Sequence, residues 1–201
     1  MKEVRLPIME MFYSIQGEGY QQGKSAFFVR LAGCDVGCSW CDVKDSWDKN
    51  KYPLYSIQSI LQEIKKTNTQ NIVITGGEPL MHNLNDLCGQ LKQQKLNLFL
   101  ETSGAYPMSG NWDWICISPK KFKPPLEENL IFANELKVIV YNKDDLKWAT
   151  NYAQKVNTNC KLFLQPEWSK KEAVSPFIID FIKDNPTWML SVQIHKYLQI
   201  E

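Results

Sequence analysis

The sequence has no apolar run long enough to cross a membrane, and it has almost no net charge. Its 201 residues carry 23 basic and 22 acidic side chains, which gives a formal net charge of +1. Because the lysines are scattered, nothing indicates a nucleic-acid groove built from a basic stripe. Internal repeats, low-complexity stretches and linkers are also missing. We therefore expect a single enzyme-sized domain over residues 1–201, with no membrane or nucleic-acid partner.

A secretory signal is missing as well, since no apolar core follows residues 1–5. We therefore expect a cytoplasmic protein. Clustered cysteines in a reducing cytosol are more often metal-binding or catalytic than disulfide-bonded. Three of the six cysteines lie far apart in apolar surroundings and are predicted to be small buried side chains, namely Cys88, Cys116 and Cys160.

The other cysteines form a cluster that lacks a fourth member. Cys34, Cys38 and Cys41 have the spacing C-x3-C-x2-C. Structural zinc sites usually have four protein ligands, whereas an iron–sulfur cubane held by three cysteines leaves one iron free to bind a small molecule. The spacing thus favours a cluster with an open iron. A zinc site completed by His82 or His195 is the alternative.

Short β-branched or aromatic runs alternate with amphipathic stretches, a pattern typical of a mostly parallel α/β sheet. The predicted strands are 26–31, 71–75, 96–100, 114–117, 136–140, 161–164 and 188–192. Helices are predicted over 56–66, with Ser56 as the N-cap, and over 144–156 and 171–183.

Polar motifs follow five of these strands. The loop that carries Cys34, Cys38 and Cys41, called the cysteine loop below, follows the first strand. The motifs after the second, third, fourth and sixth strands are Gly76-Gly77-Glu78-Pro79, Glu101-Thr102-Ser103-Gly104, Ser118-Pro119-Lys120 and Gln165-Pro166-Glu167-Trp168. The carboxyl ends of parallel strands share one rim, where ligand sites are built from several loops. We therefore expect the five motifs to converge around one cavity.

Arginine is scarce, with two arginines against 21 lysines. Arg30 nevertheless stands within the apolar run 27–32, four residues before Cys34. A buried guanidinium needs an anionic partner, and its planar fork suits a carboxylate. That partner is either a ligand carboxylate or an internal acid such as Glu18.

Taken together, these motifs resemble those of radical S-adenosylmethionine (SAM) enzymes, and in particular the 7-carboxy-7-deazaguanine synthase family. Besides the five rim motifs, the resemblance includes Tyr13-Ser14-Ile15-Gln16-Gly17-Glu18-Gly19, Phe28-Val29-Arg30-Leu31 and Gln193-Ile194-His195-Lys196-Tyr197-Leu198. It implies an α/β fold, an incomplete TIM-like β/α barrel of the radical SAM type, and a homodimer. The length agrees, because the chain is about 50 residues shorter than a typical full barrel.

The resemblance also implies a lyase of queuosine and 7-deazapurine biosynthesis. Such an enzyme converts 6-carboxy-5,6,7,8-tetrahydropterin to 7-carboxy-7-deazaguanine with loss of ammonia. A 4Fe-4S cluster, reduced by a carrier such as a flavodoxin or ferredoxin, cleaves SAM to a hydrogen-abstracting 5′-deoxyadenosyl radical, so no side chain is predicted as acid or base. The alternatives are a radical SAM activase that forms a glycyl radical on a partner protein, and a non-catalytic metal-binding protein.

Site residues follow from the same resemblance. The cluster ligands would be Cys34, Cys38 and Cys41. The residues implied to bind SAM are Gly76, Gly77, Glu78, Glu101, Ser103, Ser118, Pro119, Lys120, Gln165, Pro166 and Glu167. Those implied to bind the substrate are Ile15, Gln16, Gly17, Glu18, Arg30, Thr75 and His195.

One position departs from the family pattern. Many relatives have a threonine two residues after the third cysteine, where its hydroxyl helps to bind Mg²⁺, but this chain has Val43. Valine cannot bind a cation that requires oxygen ligands. Either Asp42 or backbone and water would supply the oxygen ligands of Mg²⁺, or the enzyme depends less on the metal.

Overall fold

A nine-stranded sheet is the framework of residues 3–200, the part of the chain that the computed structural model describes. The strands are β1 (Arg5–Ile15), β2 (Ser25–Leu31), β3 (Leu54–Ser56), β4 (Asn71–Gly76), β5 (Asn97–Thr102), β6 (Trp114–Ile117), β7 (Glu135–Val140), β8 (Lys161–Pro166) and β9 (Trp188–Leu190). Their order in the sheet is β3-β1-β2-β4-β5-β6-β7-β8-β9.

The seven predicted strands correspond to β2 and β4 to β9, and each of these pairs in parallel with its neighbour. The prediction of a mostly parallel α/β sheet is therefore confirmed. It missed β1 and β3, which pair antiparallel at one edge. Pro7 lies within β1 and is tolerated there because the strand is near the sheet edge, yet a proline argues against a strand when only the sequence is read.

Helices connect most of the parallel strands. They are α1 (Ile57–Ile64), α2 (Asn85–Gln93), α3 (Glu127–Leu130), α4 (Asp144–Ala153), α5 (Lys171–Asp184) and α6 (Ile194–Leu198). Short 3-10 turns occur at Lys44–Trp47, Lys49–Lys51, Pro79–Met81 and Trp168–Lys170. The three predicted helices are α1, α4 and α5, and Ser56 caps α1 by accepting a hydrogen bond from the Ser59 N–H. The helices α2, α3 and α6 were not predicted.

Alternation along the strands separates two layers. The residues that face α1, α2, α4 and α5 form the main core, which includes Val29, Leu31, Ile72, Ile74, Leu98, Leu100, Ile117, Val138 and Leu164. On the opposite face, a small apolar cluster holds Phe28, Val73 and Phe99. Because successive residues point to opposite faces, Arg30, Thr75 and Glu101 continue this second face toward the carboxyl ends of the strands.

The loop between β1 and β2 contacts the segment that follows β9, the last strand of the sheet. The Gly19 N–H donates to Ser191 Oγ (3.0 Å), and the Ile194 N–H donates to the Gly17 carbonyl (3.0 Å). The segment that follows β9 is thereby held against the start of the chain. No helix among residues 3–200 combines the length and the apolar character needed to span a membrane.

Leu100 provides a test of the main core. It is fully buried in β5, whereas Leu54 in β3 is 59% exposed. We expect Leu100→Ala to lower the free energy of unfolding by about 2–5 kcal/mol, because a buried cavity replaces packed methyl groups. The matched Leu54→Ala should change it by about 0.5 kcal/mol or less. Urea unfolding measures both, and equal losses would contradict this arrangement of the core.

Candidate active site

Two cavities of about 320 and 160 Å³ lie at the carboxyl ends of the strands. They share part of their lining, so they are adjacent compartments of one site. The residues that line both are Glu18, Arg30, Asp42, Val43, Thr75, Glu101 and Gln193.

Most residues implied to bind SAM line the larger cavity alone, whereas those implied to bind the substrate line the smaller cavity alone or both cavities. The larger cavity alone is lined by the three cysteines and by Gly76, Gly77, Ser103, Ser118, Lys120, Gln165, Pro166 and Glu167. The smaller cavity alone is lined by Ile15, Gln16, Gly17 and His195. Glu78 and Pro119 line neither cavity. All five rim motifs therefore reach the larger cavity, as expected from the strand order.

The cysteine loop is anchored at both its base and its outer side. The Gly33 N–H donates to the Ser46 carbonyl (2.6 Å), and the Cys34 N–H donates to the Trp47 carbonyl (3.2 Å). On the outside, Asp35 accepts hydrogen bonds from Tyr106 (2.5 Å) and Lys123 (2.8 Å). These contacts hold the three thiols toward one cavity.

The donor set fits an iron–sulfur cluster better than a single zinc ion. Within residues 3–200, no three His, Cys, Asp or Glu side chains lie close enough to hold one ion. His82, one of the two histidines that could complete a zinc site, is instead in contact with the Ala32 carbonyl (2.8 Å). Cysteines of a cubane bind different irons, so they need a common cavity rather than a common point. All three cysteines are unbridged thiols, and burial raises the pKa of Cys38 to about 11.

The glycine pair packs directly against the cysteine loop. The Gly77 N–H donates to the Leu31 carbonyl (3.0 Å), and the Glu78 N–H donates to the Gly33 carbonyl (2.9 Å). A β-carbon on Gly77 would lie 2.5 Å from the Gly33 carbonyl oxygen and 2.6 Å from Cys34 Cβ. Glycine at this position thus permits the close approach of the two loops, and Gly77 also lines the larger cavity.

Glu78 is a buried structural carboxylate rather than a solvated loop residue. It is 1% exposed, and its Oε1 accepts hydrogen bonds from the Leu80 N–H (3.0 Å) and the Thr102 hydroxyl (2.5 Å). Its Oε2 accepts from both the backbone N–H (2.8 Å) and the hydroxyl of Ser103. These bonds join the loop after β4 to the end of β5, so the Glu78 side chain positions Ser103 instead of reaching the cavity.

Arg30 has an internal acid as its partner, one of the two alternatives that the sequence left open, and that acid is Glu10. The Arg30 Nε donates to Glu10 Oε1 at 2.5 Å. Glu10 lies in β1, directly opposite Arg30 in the pairing of β1 with β2. The Arg30 side chain is 20% exposed and lines both cavities. The ion pair therefore fixes the guanidinium at the boundary between the compartments.

The lysine at position 137 joins two acids of the site. Its Nζ lies 2.8 Å from Glu18 Oε2 and 3.0 Å from Glu101 Oε2. Burial alone would raise the pKa of Glu18, but the charge of Lys137 and its hydrogen bond lower that pKa to about 2. Lys137 was not among the predicted site residues. Like Arg30, it is a charged residue within an apolar predicted strand, here 136–140, and that pattern could have identified it.

The carboxyl-terminal segment covers the smaller cavity. His195 packs on Gly17. Burial lowers the pKa of the His195 imidazole. Gln193 donates to Glu18 Oε1 (2.8 Å), and Lys196 forms an ion pair with Asp42 (2.9 Å). The Asp42 carboxylate, a predicted Mg²⁺ ligand, is thus paired with an ammonium group in this structure.

Side chains implied to surround SAM are also held in place by neighbours. Lys120 Nζ donates to the Ser118 carbonyl (2.8 Å) and hydroxyl (2.5 Å), and burial lowers the pKa of Lys120. Gln165 accepts from the Ser191 hydroxyl (2.6 Å). Aromatic walls come from Trp168, which belongs to a predicted rim motif, and from Trp40 and Trp47, which were not among the predicted site residues.

Several proteins of known family are similar to this chain along nearly its whole length. The model of the Radical SAM superfamily matches residues 29–159. A 7-carboxy-7-deazaguanine synthase of Flavobacterium psychrophilum is 53% identical over 195 residues, which cover 97% of this chain and 92% of the relative. The synthase of a Synechocystis species is 47% identical over 98% of this chain and 94% of the relative. The chain belongs to the 7-carboxy-7-deazaguanine synthase family.

A solved structure of this family has the same fold. The crystal structure of QueE from Escherichia coli superposes with a TM-score of 0.86 at 31% identity and covers 94% of both chains. The incomplete β/α barrel expected from the resemblance is therefore confirmed. As a member of the 7-carboxy-7-deazaguanine synthase family, the chain is a radical SAM enzyme, and that superfamily implies a 4Fe-4S cluster and SAM as cofactors.

Gly77→Ala should displace the cysteine loop, because its new β-carbon would overlap the Gly33 carbonyl. We expect the reconstituted variant to hold less than about half of the wild-type iron, since a shift of that loop separates the ligands. The matched control is Gly89→Ala in α2, where no atom lies within 4 Å of the added carbon. Iron and sulfide analysis gives the comparison. Full iron content in Gly77→Ala would show that the loops tolerate separation.

Glu78→Gln should lower stability despite its similar size. The amide has one acceptor oxygen for the four donors that now face the carboxylate. We expect a loss of at least about 2 kcal/mol in the free energy of unfolding, because buried donors are left without partners. Glu128→Gln, at an exposed position in α3, is the control. If urea unfolding gives the same value for both variants, Glu78 does not join the two loops.

Proposed function

We propose that this chain converts 6-carboxy-5,6,7,8-tetrahydropterin to 7-carboxy-7-deazaguanine with loss of ammonia. The product equals the substrate less one ammonia, so the reaction consumes no oxidant or reductant overall. The observation that supports this proposal is the division of the site. Three thiols line the larger cavity, and a smaller cavity beside it is lined by Gln16, Gly17 and His195.

The cofactors would occupy the larger cavity. Cys34, Cys38 and Cys41 would each hold one iron of a 4Fe-4S cluster. When bound, the cluster and SAM supply a 5′-deoxyadenosyl radical that removes a hydrogen atom from carbon 6 of the pterin. The protein's part is to hold that carbon near the radical and to exclude water and competing reactions. The loops that carry Gly76, Gly77, Ser103, Ser118, Lys120, Gln165, Pro166 and Glu167 would enclose SAM.

The substrate would lie in the smaller cavity with its reacting carbon at the shared boundary. Arg30, fixed by Glu10, would face the substrate carboxylate, since a guanidinium suits a planar anion. Gln16, Gly17 and Glu18 would bind the amide and amino edge of the pterin, while Thr75 contributes a hydroxyl from β4. Ile15 and His195 would complete the wall on the side of the carboxyl-terminal segment.

The remaining features of the proposal come from the family. We infer a homodimer, an electron donor such as a flavodoxin or ferredoxin, a cytoplasmic location, and one radical SAM domain over residues 1–201. If Mg²⁺ binds, its oxygen ligands would come from Asp42 or from backbone and water, because Val43 offers none.

The reaction is tested with protein reconstituted anaerobically with iron and sulfide, then given dithionite, SAM and carboxytetrahydropterin. Mass spectrometry should detect 7-carboxy-7-deazaguanine. Cys38→Ala should abolish it, because the cluster loses one of its three ligands. Cys88→Ala, a buried cysteine in the main core, should retain product and iron. If 5′-deoxyadenosine accumulates without the deazaguanine, the radical chemistry stands and the substrate assignment is wrong.

A further inference from the structure

A hydrogen-bonded network of buried side chains crosses the boundary between the two cavities. Gln16 donates to Glu101 Oε1 (3.1 Å), Lys137 bridges Glu101 and Glu18, and Gln193 donates to Glu18 Oε1 (2.8 Å). These residues come from the loop after β1, from β5, from β7 and from the segment after β9. The network therefore joins parts of the chain that are otherwise separate.

Both carboxylates keep capacity for a ligand. Glu18 and Glu101 each accept one ammonium N–H and one amide N–H, whereas a carboxylate offers about four acceptor positions. Both line the two cavities. Because these free acceptor positions face the cavities, they favour a ligand edge that presents N–H donors.

Lys137 has little scope to act in proton transfer. Burial disfavours its charge, but Cys116, Glu101, Glu18 and Glu135 hold its pKa well above the usual value. Its side chain is 4% exposed and lines the larger cavity, and its ammonium is held by both acids. A fixed positive charge between two acids orients them and keeps them ionised.

We propose that Lys137 is a positioning residue that holds Glu18 and Glu101 as paired acceptors for the N–H edge of the substrate. This inference rests on the proposed function for the identity of the ligand. It adds that recognition depends on a lysine that the substrate does not need to touch. Removing the lysine would leave the acids without their shared partner, and burial would then raise the pKa of Glu18.

The test compares Lys137→Met, Lys137→Arg and wild-type holoenzyme with carboxytetrahydropterin between pH 6 and 9. We expect Lys137→Met to raise KM roughly 100-fold at neutral pH, since a buried charge partner is lost. Its KM should rise further toward pH 6, because a protonated carboxyl gains an O–H donor and loses acceptor capacity for the N–H edge. Lys137→Arg should recover at least part of the loss. Lys147→Met, at an exposed position in α4, is the matched control and should behave as wild type.

Other groups around the network also titrate or carry charge. Glu135 and Cys116 face Lys137 from β7 and β6, while His195 and Lys120 face the network from α6 and the loop after β6. Because every variant retains them, the ratio of variant KM to wild-type KM isolates the effect of Lys137. Iron content should remain that of wild type, since Lys137 is not a cluster ligand.

Two results would overturn the inference. One is an unchanged KM in Lys137→Met, and the other is a KM raised equally at every pH, which indicates packing alone. Should Lys137→Met fail to fold, Lys137→Met/Glu101→Gln removes one charge of each sign and is expected to fold with KM still raised. A wild-type KM in that double variant would also contradict the proposal. Wild-type enzyme that gives no product from the pterin would instead overturn the proposed function.

Discussion

The parallel pairing of β2 and β4 is the contact on which the rest of the site depends. Its hydrogen bonding continues beyond the strands, because Gly77 and Glu78 donate to the carbonyls of Leu31 and Gly33. The cysteine loop and the loop that carries Gly77 therefore form one unit. Glu78 extends that unit to Ser103, which directly follows β5. Three loops that together line the larger cavity are thus fixed by backbone contacts and one buried carboxylate.

A second constraint is charge compensation inside the barrel. The face of the sheet that holds Phe28, Val73 and Phe99 is apolar at its base, whereas the same strands end in Arg30, Thr75 and Glu101. Buried charges persist only when they are paired. Each cation at the cavity boundary is accordingly matched within the chain, Arg30 by Glu10 and Lys137 by two glutamates. These ion pairs therefore orient the charged side chains of the site.

The sequence predicted the seven parallel strands and the convergence of five motifs, because apolar runs and strand ends are local features. It did not predict β1, whose proline obscured the strand, and so it could not identify Glu10 as the partner of Arg30. Lys137 was missed for another reason. Its two partners lie 119 and 36 residues away in the chain, so only the folded sheet brings the three together. Partners distant in sequence are set by topology rather than by local pattern.

The carboxyl-terminal segment shows how the departure at Val43 fits this charge balance. A cation ligand at that position is absent, yet Lys196 brings an ammonium group to Asp42 at the edge of both cavities. The same segment contributes Gln193 to the network that holds Glu18. Lys196 and Asp42 compensate each other's charge at this edge. Because one segment supplies both contacts, its packing on Gly17 fixes the Asp42 ion pair and the Glu18 network together.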